Sequence, residues 1–148
     1  MPPLRSFRFK RRTAPTVKSR CFLNMNVDKA YTIKMEDRGE YLYFIVGGEK
    51  LTPEIAGEYW REIAGACFSQ GKSRIMIEKD FVETVSPAEM LQMGTYLGTI
   101  LATKKIAFID RHGNDDINEL GKKIARNRNV TMQTFNGVTE AESWLLAG

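Results

Sequence analysis

The first hydrophobic pattern along the chain, over residues 30–46, predicts a β-hairpin. Over residues 30–36, apolar side chains alternate with polar ones, which is the period of a strand with one face in solvent. A turn over residues 37–40 leads into residues 41–46, a continuous apolar run that predicts a strand covered on both faces. Gly47 and Gly48 are expected to end this strand. The two strands are therefore predicted to pair antiparallel.

Beyond the hairpin, helical and strand-like patterns alternate to the end of the chain. Thr52 and Pro53 provide an N-cap and a first-turn proline for a helix over residues 53–69, which Gly71 should end. Apolar residues recur along this helix at four-residue intervals, up to Cys67 and Phe68, and predict a buried stripe. Further strands are predicted over residues 74–78, 105–110 and 130–135, and further helices over residues 86–103, 116–129 and 139–146.

The later helices are opened by residues typical of N-caps. Ser86 with Glu89, and Asp116 with Glu119, have the spacing of a capping box, and Thr139 is expected to cap the last helix. The resulting order ββαβαβαβα predicts a single α/β domain with four helices and a mostly parallel five-stranded sheet that begins with an antiparallel hairpin. The pattern does not specify the order of the strands across the sheet.

Length and composition agree with one domain and argue against several kinds of site. The chain has 148 residues, and its two cysteines and one histidine are too few for a Cys/His zinc site or a disulfide framework. The longest uncharged stretch, residues 90–103, is shorter than the ~20 residues that span a bilayer. We therefore expect no cofactor, no metal and no transmembrane helix, and the cysteine usage favours a reducing, cytoplasmic location.

Positive charge is concentrated at the N-terminus. Residues 1–26 hold seven of the 22 basic residues and no acidic one, which leaves 15 basic and 18 acidic residues, a net charge of −3, in residues 27–148. The tail has no apolar periodicity, so we expect it to be flexible and residues 27–148 to form the domain. Met25 is the expected natural start, with an organelle transit peptide as the alternative. Only this tail could attract nucleic acid or an acidic membrane.

The second predicted helix is unusual because residues 90–103 contain no charged side chain. Met90, Met93 and Leu97 lie near one face of it. A helix packed deeply in the core accounts for this composition. The alternatives are a surface for a protein partner, or a groove for a lipid or other amphipathic small molecule.

Polar residues stand at the predicted ends of two parallel strands. Asp80 follows the third strand, Asp110 is the last residue of the fourth, and Arg111 and His112 come directly after it. Ligands of open α/β sheets bind beyond the carboxyl ends of such strands, so these four residues and those of the second helix form the candidate ligand or partner surface. Polar side chains are also the ordinary composition of such loops. No nucleophile motif surrounds Ser86 and no phosphate-loop motif follows the glycine pair, so no catalytic site is predicted.

Several short segments, in this order and spacing, resemble one bacterial family. The match spans roughly residues 30–146. It rests on residues 41–46 before Gly47, residues 74–77, 105–108 and 125–128, and the ending with Phe135, Glu140-Ala141 and Ser143-Trp144-Leu145. In these segments the chain is similar to the SpoIIAA-like proteins, also described as STAS/SEC14 domain-containing proteins. The resemblance implies the α/β fold of anti-sigma-factor antagonists and of the cytoplasmic domains of sulfate transporters, with some likeness to lipid-carrying SEC14 cores.

The resemblance also suggests a function. In anti-sigma-factor antagonists, a serine at the start of the helix after the third strand is phosphorylated to control binding of a partner kinase. Ser86 occupies the comparable place, within Thr84-Val85-Ser86-Pro87 in place of the family's Asp-Ser-Ser-Gly-Leu type motif, so it is the candidate phospho-acceptor as well as an N-cap. We expect a non-enzymatic regulatory or interaction module that binds a protein partner. The alternative is a carrier or sensor of a lipid-like ligand beside the second helix, and a homodimer is compatible with either.

Overall fold

The computed structural model describes residues 30–148, and the expectations for residues 1–26 lie outside them. Five strands form one sheet: β1 (Thr32–Asp37), β2 (Leu42–Lys50), β3 (Arg74–Glu83), β4 (Lys105–Asp110) and β5 (Thr131–Phe135). Four helices follow the strands in alternation: α1 (Pro53–Gln70), α2 (Pro87–Ile100), α3 (Asp115–Asn127) and α4 (Val138–Leu146). The element order and the α/β class are those predicted from the pattern.

The strands lie across the sheet in the order in which they occur in the chain, β1-β2-β3-β4-β5. β1 pairs antiparallel with β2, and every other pair is parallel, as expected. The three crossovers, through α1, α2 and α3, each connect a strand to its neighbour in the same direction across the sheet. Because such crossovers are right-handed, all three helices lie on the same face of the sheet. α1 and α2 contribute to the main core with that face, whereas α4 packs on the opposite face.

Two strands are longer than predicted, for one shared reason. Gly47 and Gly48 do not end β2, because they pair with Asp80 and Phe81 of a β3 that itself runs on to Glu83. A Cβ atom on Gly47 would lie 2.7 Å from the Asp80 carbonyl oxygen. The glycine therefore permits a close approach between strands where the sequence suggested a chain break.

The helix boundaries are confirmed in part. The capping box of α2 forms, with the Glu89 N–H donating to Ser86 Oγ at 3.2 Å and the Ser86 N–H donating to Glu89 Oε1 at 2.9 Å. α2 ends at Ile100, however, and Thr103 has φ 68°. The capping box expected at Asp116 is wrong, because α3 begins one residue earlier after Asn114, which makes no side-chain cap hydrogen bond.

Two further expectations fail near the helix ends. Thr139 does not cap the last helix, because α4 begins at Val138 and its N-cap residue is Gly137. Phe68, which the period of α1 placed on the buried stripe, is 90% exposed. The stripe ends with Cys67, which is fully buried, and Gly71 ends the helix in the left-handed region as predicted.

Candidate functional site

The residues of the predicted surface lie on opposite sides of the sheet. Successive side chains of a strand point to opposite faces, so Glu78 and Asp80 of β3 face the α4 side and Lys79 between them faces the side of α1, α2 and α3. Asp80, Arg111 and His112 come together on the α4 side. The three predicted residues of α2 belong to the other face, so the sequence-predicted surface divides into two separate regions.

The region on the α4 side is an ion-pair network at the carboxyl ends of β3 and β4. Arg111 contacts two carboxylates, Glu78 through Nε at 2.9 Å and Asp80 through Nη1 at 3.3 Å. His112 Nε2 lies 2.8 Å from Asp80 Oδ1, and the Tyr43 hydroxyl donates to Glu78. The hydrogen bond that the Arg111 guanidinium donates to Glu78 raises the pKa of Arg111. These groups already satisfy one another, so the network describes a polar surface that is held in place by its own contacts.

On the side of α1, α2 and α3, a buried ion pair joins β3 to β4. The ammonium of Lys79, which is 2% exposed, lies 3.2 Å from Asp110 Oδ2 and donates to Thr84 Oγ1 at 2.8 Å. The Asp110 side chain is only 3% exposed. Asp110 was predicted as part of a ligand or partner surface; its carboxylate is paired with Lys79, and the residue also lines a polar cleft of about 350 Å³ at the ends of β4 and β5. Lys79, its partner, was not singled out from the sequence.

Asp110 also organises the loop that leads into α3. Its Oδ2 accepts from the side-chain amides of Asn114 and Asn118, both at 3.0 Å, and its Oδ1 accepts from the His112 N–H at 2.9 Å. The Asn114 NH₂ group is thereby committed to Asp110, and its backbone, with φ 53°, is left-handed and not in the extended conformation typical of a capping residue. Asparagines four and eight residues after Asp110 are the local signal for these hydrogen bonds, but they do not indicate that the carboxylate is buried.

Burial and hydrogen bonding act in opposite directions on this pair. Burial lowers the pKa of the Lys79 ammonium, and the nearby Asp110 carboxylate offsets part of that change. Burial alone would raise the pKa of Asp110, but the hydrogen bonds from Asn118, from the His112 N–H and from Asn114, together with the charge of Lys79, leave that pKa below its ordinary value. The pair is a positioning element for the β4–α3 loop.

On the other face, α2 presents an inner and an outer side. Met93 is buried at 7% exposure, and Met90 and Leu97 are half-buried. These three predicted contact residues thus point toward the core. The outer side consists of exposed residues without a charge, namely Ala88, Leu91, Gln92, Thr95, Tyr96 and Thr99. Leu91 is 59% exposed and Tyr96 is 42% exposed, and neither was predicted. The Tyr96 hydroxyl accepts a hydrogen bond from the Arg61 guanidinium of α1 at 2.9 Å.

The orientation of α2 follows from its two buried glycines. A Cβ atom on Gly94 would overlap the Ile124 side chain, and one on Gly98 would lie 2.6 Å from the Cβ atom of Arg128. The glycines therefore let α3 approach α2 closely. Because this side of α2 is taken up by α3 and the sheet, the side with Leu91 and Tyr96 is left in solvent.

A cavity between α2, α3 and the sheet is small and mostly apolar. Its volume is about 80 Å³, and its lining includes Met90, Met93, Leu97 and Lys79. Sites for small molecules have volumes of roughly 300–1,000 Å³. The cavity gives no support to the expected alternative of a groove for a lipid.

The described residues also lack a metal-binding cluster and a membrane-spanning helix. Within residues 30–148, no group of three or more His, Cys, Asp or Glu side chains is arranged to hold a metal ion. In the same part of the chain, no helix has the length and hydropathy needed to cross a membrane.

Comparison with known proteins supports the fold. No family model and no curated protein matches the sequence. Among solved structures, the chain is similar to an anti-sigma factor antagonist from Mycobacterium paratuberculosis, with a TM-score of 0.55 and 11% sequence identity. The similarity covers 79% of this chain and 95% of that chain. The STAS-type fold implied by the family resemblance is thereby confirmed.

Proposed function

We propose that this chain is a non-enzymatic regulatory STAS-type module that binds a protein partner through the outer side of α2 and the residues that lead into it. The observation that carries the proposal is the exposed, uncharged side of α2, with Leu91 and Tyr96 as its large apolar groups. The structural neighbour is by description an antagonist of an anti-sigma factor, which favours a protein as the partner.

The outer side of α2 differs from those of the neighbouring helices. α1 exposes Glu54, Glu58 and Arg61, and α3 exposes Asp116 and Lys123. Burying a charged group against a partner costs free energy unless it is paired, and the centres of protein interfaces are accordingly depleted of charge and enriched in aromatic residues. Of these three helices, α2 has an outer side with no charged residue of its own, and a partner would meet charge only at its margins, where Arg61 donates to Tyr96 and Arg128 to Thr95.

Ser86 is proposed as a phospho-acceptor that regulates this contact. It is exposed and immediately precedes α2, beside the proposed binding side. A phosphate at this position would interact favourably with the N-terminus of α2. It would also approach the carboxylate of Glu89, which now closes the capping box, and would place negative charge at the rim of an uncharged surface. The repulsion from Glu89 and the negative charge at the rim both oppose binding of an apolar partner surface.

A photo-crosslinking experiment tests the binding side. A photoreactive amino acid is placed at Leu91 in one variant and at Phe68 in a control variant, in cells of the source organism. Both positions expose an apolar side chain, at 59% and 90%, but Phe68 lies at the end of α1. We expect one discrete protein adduct from position 91, abolished by excess unlabelled wild-type protein and unaffected by excess Leu91→Glu protein.

Stability controls separate a lost contact from a lost fold. Leu91→Glu and Phe68→Glu both replace an exposed apolar side chain by a carboxylate, so each should change the free energy of unfolding by no more than about 0.5 kcal/mol. The partner identified from the adduct should still bind the purified Phe68→Glu variant and should no longer bind the Leu91→Glu variant. Equal adducts from positions 91 and 68, or binding that survives Leu91→Glu, would place the partner elsewhere and refute the proposal.

A further inference from the structure

The two edge strands of the sheet differ in charge. β1 contains Lys34, Glu36 and Asp37, whereas β5, with the sequence Thr-Met-Gln-Thr-Phe, contains no charged residue and no proline. Charged side chains and prolines on an edge strand are the usual means by which a protein prevents pairing with a second chain. Among the described strands, β5 has a neighbour only on the β4 side. No residue of β5 itself therefore protects this outer edge, and the charged side chain that crosses it is Lys122 of α3.

The outer edge of β5 has backbone groups in a self-complementary arrangement. The Thr131 N–H donates to the Lys104 carbonyl at 3.1 Å, so Thr131 directs its backbone groups toward β4. Because these directions alternate along a strand, Met132 and Thr134 direct their N–H and C=O groups outward. A second β5 running antiparallel would pair Met132 with the partner's Thr134, with a two-fold axis at Gln133.

The charges on α3 have the same two-fold symmetry. The side of α3 with Ile124 packs against α2, where a Cβ atom on Gly94 would meet it. A different stripe, at helical spacings of four, three and four residues, contains Asp115, Glu119, Lys122 and Arg126. Lys122 marks the side that faces β5, because its ammonium donates to Gln133 Oε1 at 3.0 Å. The stripe is acidic toward the N-terminus of α3 and basic toward its C-terminus.

A two-fold axis at Gln133 brings the opposite charges into register. Lys122 contacts Gln133, so the axis passes close to the level of Lys122 on α3. At about 1.5 Å per residue, Glu119 lies about 4.5 Å to one side of that level and Arg126 about 6 Å to the other. Two antiparallel copies of α3 would thus set Glu119 opposite the partner's Arg126, once on each side of the axis.

We propose that a second copy of this chain docks on the outer edge of β5, so that the two sheets join through antiparallel β5 strands and the α3 helices lie side by side. Lys122 at present lies 3.1 Å from Glu119 and reaches across the edge to Gln133. In the dimer Lys122 keeps its ion pair with Glu119, which limits repulsion between the two Lys122 side chains at the axis. Its side chain gives up the contact with Gln133 and moves away from the edge of β5. The outer side of α2 stays free for the proposed partner.

The test is the mass of the purified chain in solution. Sedimentation equilibrium at low ionic strength, over a range of protein concentrations, should show a monomer–dimer equilibrium. Glu119→Lys and Arg126→Glu each place like charges opposite one another, twice by symmetry, and each should raise the dimer dissociation constant about tenfold or more. The double variant Glu119→Lys/Arg126→Glu restores the opposite charges and should recover a dissociation constant near that of the wild type.

Two further variants make the result specific to this edge. Lys123→Glu makes the same charge change as Arg126→Glu outside the stripe and should leave the dissociation constant unchanged. Thr134→Pro removes an N–H that points away from β4, so it should abolish the dimer while the circular dichroism of the monomer is retained. A monomer at every concentration, a double variant weaker than either single variant, or a dimer lost with Leu91→Glu but not with Thr134→Pro would overturn the proposal.

Discussion

Removal of one member of the buried Lys79–Asp110 pair is the perturbation whose outcome the structure defines most sharply. In Lys79→Met the apolar stem of the side chain is kept and only the ammonium is lost. Asp110 then remains at 3% exposure without a cation. Breaking a buried ion pair in this way costs about 3–5 kcal/mol. We expect the lower end, about 3 kcal/mol, because Asn114, Asn118 and the His112 N–H still donate to the carboxylate.

Asp110→Asn tests the other partner by a different route. A carboxylate accepts from all three donors at once, whereas an amide must present an NH₂ group to one of them. The variant therefore loses a hydrogen bond and leaves Lys79, at 2% exposure, without its counter-ion. We expect a loss of about 3–5 kcal/mol.

The double variant distinguishes an interaction energy between Lys79 and Asp110 from two independent losses of stability. Urea unfolding, followed by circular dichroism and by the fluorescence of Trp60 and Trp144, gives the free energy of unfolding of wild type, both single variants and Lys79→Met/Asp110→Asn. Because the second substitution no longer leaves an uncompensated charge, we expect the double variant to lose less than the two single losses together, by at least about 2 kcal/mol. Additive losses would refute the conclusion that the pair acts as a unit.

The pH dependence of the same variants provides an independent check. The folded-state pKa of Asp110 is lowered, so its contribution is present above its unfolded pKa of about 3.8 and is lost as the pH falls through the lower folded value. The stability difference between wild type and Asp110→Asn should therefore narrow in acid. The pKa of Lys79 is also lowered, so Asp110→Asn should gain stability as the pH rises toward 10.5. A constant difference across the whole range would contradict this assignment.

Two further predictions concern packing and a buried phenol. Gly47→Ala should destabilise the protein by about 1–3 kcal/mol in the same urea assay, because its Cβ atom would meet the Asp80 carbonyl. Gly65→Ala should instead stabilise the protein by about 0.5–1 kcal/mol, because Gly65 lies in α1 and a Cβ atom there would have nothing within 4 Å. Burial and the hydrogen bond to Glu142 raise the pKa of Tyr41 to about 12, so its contribution to stability is present below pH 10 and lost as the pH rises through 12. The difference in phenolate absorbance between wild type and Tyr41→Phe should titrate near 12, and a midpoint near 10 would refute this.

Much of the fold was predictable because the signals for it are local. The alternation of residues 30–36, the apolar run of residues 105–110 and the capping box at Ser86 depend on neighbours within a few residues. The helix end at Gly71 is equally local, because a left-handed residue there requires only glycine's missing side chain. The STAS-type fold was implied by the resemblance of several short segments to one family, and the structural neighbour confirmed that fold.

The candidate site was predicted less well because it depends on which residues meet across the sheet. Asp80, Asp110, Arg111 and His112 stand at strand ends in the sequence, but the pleat of the sheet sends Asp110 inward to Lys79 and leaves the other three on the α4 side. Nothing in the local sequence distinguishes a buried aspartate from an exposed one. The decision came from the parallel register that places Lys79 opposite Asp110.

The sequence by itself thus determined the class, number and order of the elements, because hydrophobic period, caps and turn residues act within a few positions of the chain. Only the tertiary structure decided that Gly47 lies inside a strand and that Met93 points inward while Leu91 points outward. The same structure decided that β5 ends the sheet with an uncharged edge. The physical reason is that burial, close approach and register are properties of residue pairs distant in the chain, and these pairs are brought together only when the crossovers have placed the strands side by side.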